Sequence, residues 1–358
     1  MRPTRARIDL ARLRGNAALA AARAPTSRLM AVIKADGYGH GAVAAARALE
    51  ASADAFAVAT LDEAAALRDA GIEAPLLLLE GPFEPADLVE AQARDLTVNI
   101  TGPEQLAWLE AARLPGPLRC WLKLDTGMHR LGLDPADARD AWERLAACAH
   151  ALPEVACTHF ARAEELDRPE TGEQLERFLA ATRGLPLALS AANSPAVLAR
   201  PDTHLDWIRP GYLLYGDTPL PRNHPAGDGL LPVMQFESAV IAVREIPAGD
   251  AVGYGGSWVA GRPSRIATVA AGYADGYPRT TASGTAVLVN GQRAPLAGRV
   301  SMDMITVDVT DLAPVQVGDP VRLWGDDLPV GEVAEGSGTT GYELLAGMPA
   351  RTPREYTG

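Results

Sequence analysis

The chain reads as an α/β protein, a TIM-like (β/α)8 barrel followed by a mainly β C-terminal domain. Between residues 29 and 215, short apolar runs alternate with Ala- and Leu-rich stretches of helical spacing, the pattern of consecutive βα units. Eight such runs can be counted, the number that closes a parallel barrel. After Tyr215 the runs become short and β-branched, separated by turns such as Asn290-Gly291. An open, doubly wound sheet would carry a glycine-rich dinucleotide turn after its first strand, and that turn is missing.

The expected barrel strands lie at 30–34, 55–59, 76–79, 97–100, 120–124, 155–160, 186–190 and 207–215. Polar side chains fall at or just after the ends of several: Lys34, Asp125, His159, Asn193 and Arg209, the position where such a barrel carries its catalytic groups. The segment G-D-T-P-L-P-R-N-H-P-A-G-D-G at 216–229 is dense in proline and glycine and reads as a linker. Beyond it, strands are expected at 238–243, 266–271, 286–289, 304–309 and 320–324, with one helix near 342–346. The domains are therefore drawn at 8–222 and 223–358, with residues 1–7 free to join the second.

At 358 residues the chain exceeds a single ordinary core, in keeping with one large domain and one smaller. With 47% hydrophobic and 22% charged residues it has the composition of a globular protein. Its net charge of −12, with arginines scattered rather than clustered, argues against a nucleic-acid partner. The three cysteines, Cys120, Cys148 and Cys157, are odd in number and lack metal or redox spacing. They read as core thiols in a reducing compartment, and no metal is expected. The N-terminal M-R-P-T-R-A-R-I-D-L has no apolar signal core, and no run is long enough to span a membrane, so the cytoplasm is the expected location.

Lys34 is the centre of the functional reading. Only two of the 33 basic residues are lysine, Lys34 and Lys123. A chain that uses arginine everywhere else keeps lysine where an amine must lose its proton, which a guanidinium does not do. An apolar run delivers Lys34 into the glycine-broken loop G-Y-G-H-G. Desolvation at such a strand end favours the neutral, nucleophilic amine needed to capture a carbonyl. The plainer alternative is a strand-end lysine reaching out to solvent.

Eight motifs extend the pattern over nearly the whole chain. The first domain carries A-V-I-K-A-D-G-Y-G-H-G at 31–41, K-L-D-T-G-M-H-R-L-G at 123–132, T-H-F-A at 158–161, A-N-S at 192–194 and I-R-P-G-Y-L-L-Y-G at 208–216. The second carries G-Y-G-G-S-W at 253–258, A-G-Y-A-D-G-Y-P-R at 271–279 and G-R-V-S-M-D at 298–303. In this order they resemble the alanine racemase family, pyridoxal 5'-phosphate (PLP) enzymes built from an eight-stranded barrel and a β-domain.

The resemblance implies that Lys34 binds PLP covalently and serves as one of two catalytic bases. It implies a phosphate cradle from Tyr38, Asn193, Ser194 and the backbone at Gly211 and Tyr212. It sets Arg209 against the pyridine nitrogen, where an arginine leaves the ring a weaker electron sink and favours racemisation over transamination. Tyr254 would be the second base, delivered by the other subunit of a homodimer, because inverting Cα needs an acid and a base on opposite faces. His159 would partner that tyrosine and pack against the ring. Arg130 would reach the cofactor phenolic oxygen and the substrate carboxylate, with Lys123 at a position that carries an arginine-holding carbamate in some members. Met302 and Tyr273 match positions at the substrate carboxylate and the entrance.

Without the resemblance several of these residues read more plainly. Arg209 would be a barrel-rim ion pair, Asn193 and Ser194 a helix cap, His159 a structural histidine, and Met302 and Tyr273 packing. Two departures from the family pattern stand out: Ala350 occupies a position where some members have a tyrosine near the phosphate, and Trp258 replaces a different aromatic at the site mouth.

The implied activity is two-base racemisation of L- and D-alanine, an amino-acid substrate, supplying D-alanine for peptidoglycan. A racemase of serine or of broader range is the near alternative. A non-catalytic PLP-binding protein would have no use for Tyr254. A barrel-plus-β-domain decarboxylase of basic amino acids would set an acidic residue, not Arg209, against the ring nitrogen.

Overall fold

The computed structural model describes residues 2–222 and 224–358. The chain opens with β1 (Arg5–Asp9) and then forms eight parallel strands: β2 (Arg28–Val32), β3 (Ala55–Val58), β4 (Leu76–Leu78), β5 (Leu96–Ile100), β6 (Leu118–Lys123), β7 (Ala151–Cys157), β8 (Ala188–Ser190) and β9 (Trp207–Ile208). Each pairs with the next, and β9 returns to β2 with Leu29 opposite Ile208, which closes the barrel.

The pleat of these strands sorts side chains into two populations. Met30, Val32, Ala55, Ala57, Leu77, Trp121, Val155, Cys157 and Trp207 form one buried cluster, the barrel interior. The residues between them, among them Leu29, Ala31, Phe56, Leu76, Leu78, Cys120, Leu122 and Ala156, join a separate core under the helices. Seven of the eight strands feed an α-helix on the outside, and β9 feeds only a helical turn. The helix that packs against Ala42–Leu49 and Tyr212–Tyr215, completing the ring, is Leu10–Arg23, which precedes the first barrel strand.

The C-terminal region forms an eight-stranded sheet in which β1 is a central member. Its long strand β10 (Met234–Ile246) pairs with β1 on one part of its length and with Ser264–Val269 on another. The C-terminal strand Arg354–Thr357 runs parallel to β1 on its other side. The opening residues of the chain are therefore sheet partners of its last ones.

Three local expectations differ from the structure. The last barrel strand stops at Ile208 rather than Tyr215, because Pro210 has no N–H for the ladder and the chain coils into a 3-10 turn at Tyr212–Tyr215. The second domain holds two helices, Val330–Ser337 and Gly341–Ala346, where one was expected. Val330, Val333, Ala334 and Ser337 are its buried positions, a helical spacing obscured by glycines at 331 and 336. The linker at 216–229 contains a 3-10 turn at Pro225–Gly227, and Asn223 within it and Met1 at the start lie outside the described residues.

Trp324 sits at the centre of the second core, 4.5 Å from the Phe236 ring centroid and stacked near Tyr277. Its indole N–H has no partner among the described residues, so its contribution is packing. Trp324→Ala should lower stability by about 3–5 kcal/mol, measured as a shift of the urea midpoint, whereas Phe83→Ala, at a half-exposed surface position, should change it by about 0.5 kcal/mol or less.

Candidate active site

The inward rows of the barrel do not end where the strands end. Met30 and Val32 point inward, so Lys34, two residues further, points into the mouth at the C-terminal end of the barrel. The same parity carries Trp121 to Lys123, Val155 and Cys157 to His159, and Trp207 to Arg209. All four line one cavity of about 540 Å³, together with Tyr38, Arg130, Asn193, Ser194, Gly211 and Tyr212. Lys34, Lys123, Arg130 and Arg209 bring four basic side chains to this cavity against a single carboxylate, Glu80. Such a cavity calls for anions to balance it.

Lys34 opens a backbone turn that L-residues adopt reluctantly. Ala35, Asp36, Gly37, Tyr38 and Gly39 have φ of 52°, 53°, 62°, 50° and 76°, a run of left-handed residues. Each non-glycine residue in that conformation costs roughly 1–2 kcal/mol. The surroundings supply the compensation. Glu63 accepts from the Ala35 amide at 2.7 Å through one carboxylate oxygen and from the Ala59 amide at 2.7 Å through the other. Arg354, on the C-terminal strand, donates to the Gly39 carbonyl at 2.7 Å and pairs with Asp36 at 3.1 Å. A Cβ on Gly39 would meet the Leu345 carbonyl oxygen at 1.9 Å, so the second domain presses directly on this turn. Neither Glu63 nor Arg354 stands out in the sequence, because each acts through tertiary contact alone.

Arg209 is buried, with Nη1 donating to Ser190 Oγ at 2.5 Å and Nη2 to the Thr158 carbonyl at 2.6 Å. These are neutral acceptors. Among the described residues no carboxylate pairs with Arg209 and no hydrogen bond takes up its Nε, so the ion-pair reading of this residue does not hold.

Lys123 and Arg130 meet because the intervening loop folds back. Asp125 Oδ1 accepts from the amides of Gly127, Met128 and His129, each at 3.0 Å, and Leu133 donates back to the Lys123 carbonyl at 2.9 Å. Partial burial would raise the Asp125 pKa, but these amides outweigh it and hold the carboxyl below its usual range. Burial first, and then the neighbouring Arg209, Arg130 and Lys34, push the Lys123 amine below its ordinary pKa against the pull of Cys157. The same pair of causes, burial and the surrounding cations, holds His159 well below the ordinary imidazole value, so its ring is neutral.

At the far end of the cavity Ser194 Oγ accepts from the amides of Gly211 at 3.0 Å and Leu213 at 3.3 Å. Asn193 caps the helix Ser194–Ala199 through its side-chain oxygen while its amide group donates to the Phe160 carbonyl at 3.3 Å. A Cβ on Gly211 would lie 2.5 Å from the Tyr38 hydroxyl, so only glycine leaves that phenol its place. The cavity also takes in Tyr342, which the sequence does not single out, whereas Ala350 lies exposed and does not line it.

Tyr254, Tyr273 and Met302 are elsewhere. They lie on the second domain with 71%, 38% and 52% of their surface exposed and do not line this chain's cavity. Their loops touch one another: the amides of Tyr273 and Ala274 donate to the carbonyls of Ser301 and Met302, and Gly255 packs beside Arg299.

Residues 8–219 match the family model for the alanine racemase N-terminal domain, and residues 233–356 match that for the C-terminal domain. The chain belongs to the alanine racemase family. It is 51% identical to an alanine racemase of Stutzerimonas stutzeri and 51% identical to a protein of Pseudomonas aeruginosa named alanine racemase, catabolic, with all of both chains covered in each case. Its fold matches the crystal structure of a biosynthetic alanine racemase from Pseudomonas aeruginosa with a TM-score of 0.97 at 50% identity over the full length of both chains. The chain is accordingly an amino-acid racemase, an isomerase of alanine.

His40 gives this alanine racemase an acid limit. Its Nδ1 donates to the Tyr38 carbonyl at 2.8 Å, and its buried Nε2 has no partner among the described residues. Burial pushes its pKa down to about 4, with the two backbone bonds opposing and Arg354 assisting. The unfolded chain takes up that proton at its ordinary value, so the stability contributed by neutral His40 is complete above pH 6.5 and is lost as pH falls towards 4. The loss should be about 3 kcal/mol, with His159 adding in the same direction. His40→Gln, which donates without titrating, should flatten the dependence of the urea midpoint on pH between 6.5 and 4 relative to wild type; equal slopes would show that His40 carries none of it.

Proposed function

We propose that this racemase uses pyridoxal 5'-phosphate and two bases, and that its working unit is a homodimer with shared sites. The observation that carries the reading is the cavity itself: four cations at one barrel mouth, among them a buried arginine with no acidic partner among the described residues, and an amine on a strained turn. PLP brings the matching anions, a phosphate and a phenolic oxygen. The residues present fit it. Tyr38, Ser194 and the backbone at Gly211 and Tyr212 would hold the phosphate, and Asn193 braces that loop. Arg209 would offer Nε to the pyridine nitrogen, and Arg130 would reach the phenolic oxygen and the substrate carboxylate. Lowering of the Lys123 amine by burial and neighbouring charge favours the neutral form that takes up carbon dioxide, and a carbamate there would anchor Arg130.

When bound, PLP makes the substrate Cα–H acidic by drawing its electron pair into the ring. Lys34 then holds or returns the proton on one face of Cα. The opposite face needs a second group, and among the described residues no side chain of the second domain reaches this chain's own cavity other than those of the segment around Tyr342 and Ala346. Tyr254, exposed beside Tyr273 and Met302, supplies that group if it enters a partner's barrel mouth, where neutral His159 can exchange a proton with it. An exposed cluster of large apolar side chains is what such an interface would cover.

Enantiomers have equal free energy in water, so a racemase runs in whichever direction concentrations set. Supply of D-alanine to peptidoglycan is one use of such an enzyme, and one relative is named catabolic. Among the described residues no helix is long and apolar enough to cross a membrane, in keeping with a cytoplasmic enzyme acting on free amino acid.

The cofactor reading is tested by borohydride reduction followed by peptide mapping: the label is expected on Lys34, and recovery on Lys123 instead would overturn the assignment. The shared site is tested by co-expressing differently tagged Lys34→Ala and Tyr254→Phe chains, each nearly inactive alone. Random pairing makes about half the dimers mixed, each with one intact site, so roughly a quarter of wild-type activity should return. Purified mixed dimers with no activity would rule out delivery of Tyr254 from the partner.

A further inference from the structure

The helix Glu170–Thr182 packs on the outside of the barrel, and its buried positions are Thr171, Gln174, Leu175, Phe178 and Thr182. A carboxamide beside leucine and phenylalanine on an inward face costs free energy unless its polar atoms are bonded. Those of Gln174, which is 2% exposed, are all bonded. Its Oε1 accepts from the Ala161 amide at 2.9 Å, and its Nε2 donates to the His159 carbonyl at 3.1 Å and to Thr126 Oγ1 at 3.4 Å. The Ala161 N–H can only donate, so the side-chain oxygen must face it, which sends both N–H groups to the other two partners. Gln174 does not line the cavity. It grips the backbone on both sides of Phe160, directly after His159.

From Thr126 the bonds continue in one direction. Thr158 Oγ1 donates to the Leu124 carbonyl at 3.0 Å, so in its 2.7 Å contact with Thr126 Oγ1 it accepts and the Thr126 hydroxyl donates. Each hydroxyl has one proton, and the order that uses each once runs from Gln174 through Thr126 and Thr158 to Leu124. Both threonines are as buried as Gln174. The Thr158 carbonyl takes Arg209 Nη2 at 2.6 Å, and Arg177, one turn beyond Gln174, donates to the Thr126 carbonyl at 2.8 Å. A buried chain of hydrogen bonds with every member satisfied holds its parts in one arrangement. This one ties together the segments that follow β6 and β7, which carry Lys123 and His159 at their starts. We propose that Gln174 is a positioning residue for racemisation: through its grip on the His159 backbone and its bond to the Thr126–Thr158 pair, it sets where the His159 ring stands relative to Arg209 and the Lys123 loop. This rests on the two-base reading above, in which His159 serves the face of Cα opposite Lys34.

The test uses the full-length holoenzyme carrying Gln174→Met, which keeps the length of the side chain and removes its hydrogen bonds; circular dichroism and cofactor absorbance check fold and loading. A small displacement of His159 leaves Arg130 in place for the substrate, so kcat should fall roughly 10- to 100-fold while KM stays within about threefold. Deuterium at Cα of L-alanine, and separately of D-alanine, reports the step that removes that proton. With only the His159 face slowed, the isotope effect on kcat should rise for one enantiomer and fall for the other. Thr126→Val should move both isotope effects in those same directions, and Thr126→Ser, which keeps the hydroxyl, should recover most of the loss. The Gln174→Met/Thr126→Val double variant should be little worse than the poorer single variant, because both break one chain. If Gln174→Met does not fold, the two Thr126 variants carry the same test. Isotope effects that stay at wild-type values or move together for both enantiomers would mean that Gln174 only packs its helix, and additive losses would mean two separate contacts; either overturns the inference and leaves the two-base reading standing. A wild-type enzyme that carries the Cα deuterium of its substrate into product overturns the two-base reading and this inference with it.

Discussion

The pleat of a closed parallel barrel decides which side chains of this protein can meet. Strand residues alternate between the interior and the helix side, so a side chain two residues beyond an inward-facing one leaves the barrel through its mouth. Lys34, Lys123, His159 and Arg209 all satisfy that parity on different strands, and their convergence follows from closure rather than from any contact among them. An open sheet of the same strands would spread these groups along an edge. Closure buries these groups and concentrates their charge; burial first, and then the neighbouring cations, account for the neutral His159 ring and the lowered Lys123 amine.

That concentration has an energetic counterpart in the backbone. The turn after Lys34 runs left-handed over consecutive residues, a conformation that persists only where surrounding structure over-determines it. Glu63 holds its start from the neighbouring βα unit, and Arg354 and Leu345 hold its end from the second domain. The C-terminal domain is thus part of the apparatus that aims Lys34. The parallel pairing of Arg354–Thr357 with β1 ties that brace to the start of the chain, so both termini bear on the site.

The second domain carries two surfaces of opposite fate. One packs on its own barrel through Tyr342 and Leu345 and closes the far end of the cavity. The other exposes Tyr254, Tyr273 and Met302 on adjoining loops, away from that cavity. A site that lines its own barrel with cations and keeps its exposed phenol elsewhere is chemically one-sided within one chain.

Much of this was legible in the sequence. Eight apolar runs announce the barrel because strands buried on both faces must be apolar throughout, and the scarcity of lysine singles out Lys34 and Lys123 because only an amine can be neutral there. Polar residues at strand ends mark the mouth, and of these Lys34, His159, Asn193 and Arg209 line the cavity while Asp125 turns onto the amides of its own loop. What the tertiary structure alone decided are relations between segments far apart in the chain. Neutral acceptors rather than a carboxylate hold Arg209, the C-terminal strand clamps Asp36, the ring-completing helix comes from before the first strand, and Tyr342 stands in the cavity where Ala350 does not. Periodicity reports which face of an element is buried, since burial follows from local spacing. It carries no information on which distant backbone carbonyl or phenol will complete a site, because that depends on how the two domains pack.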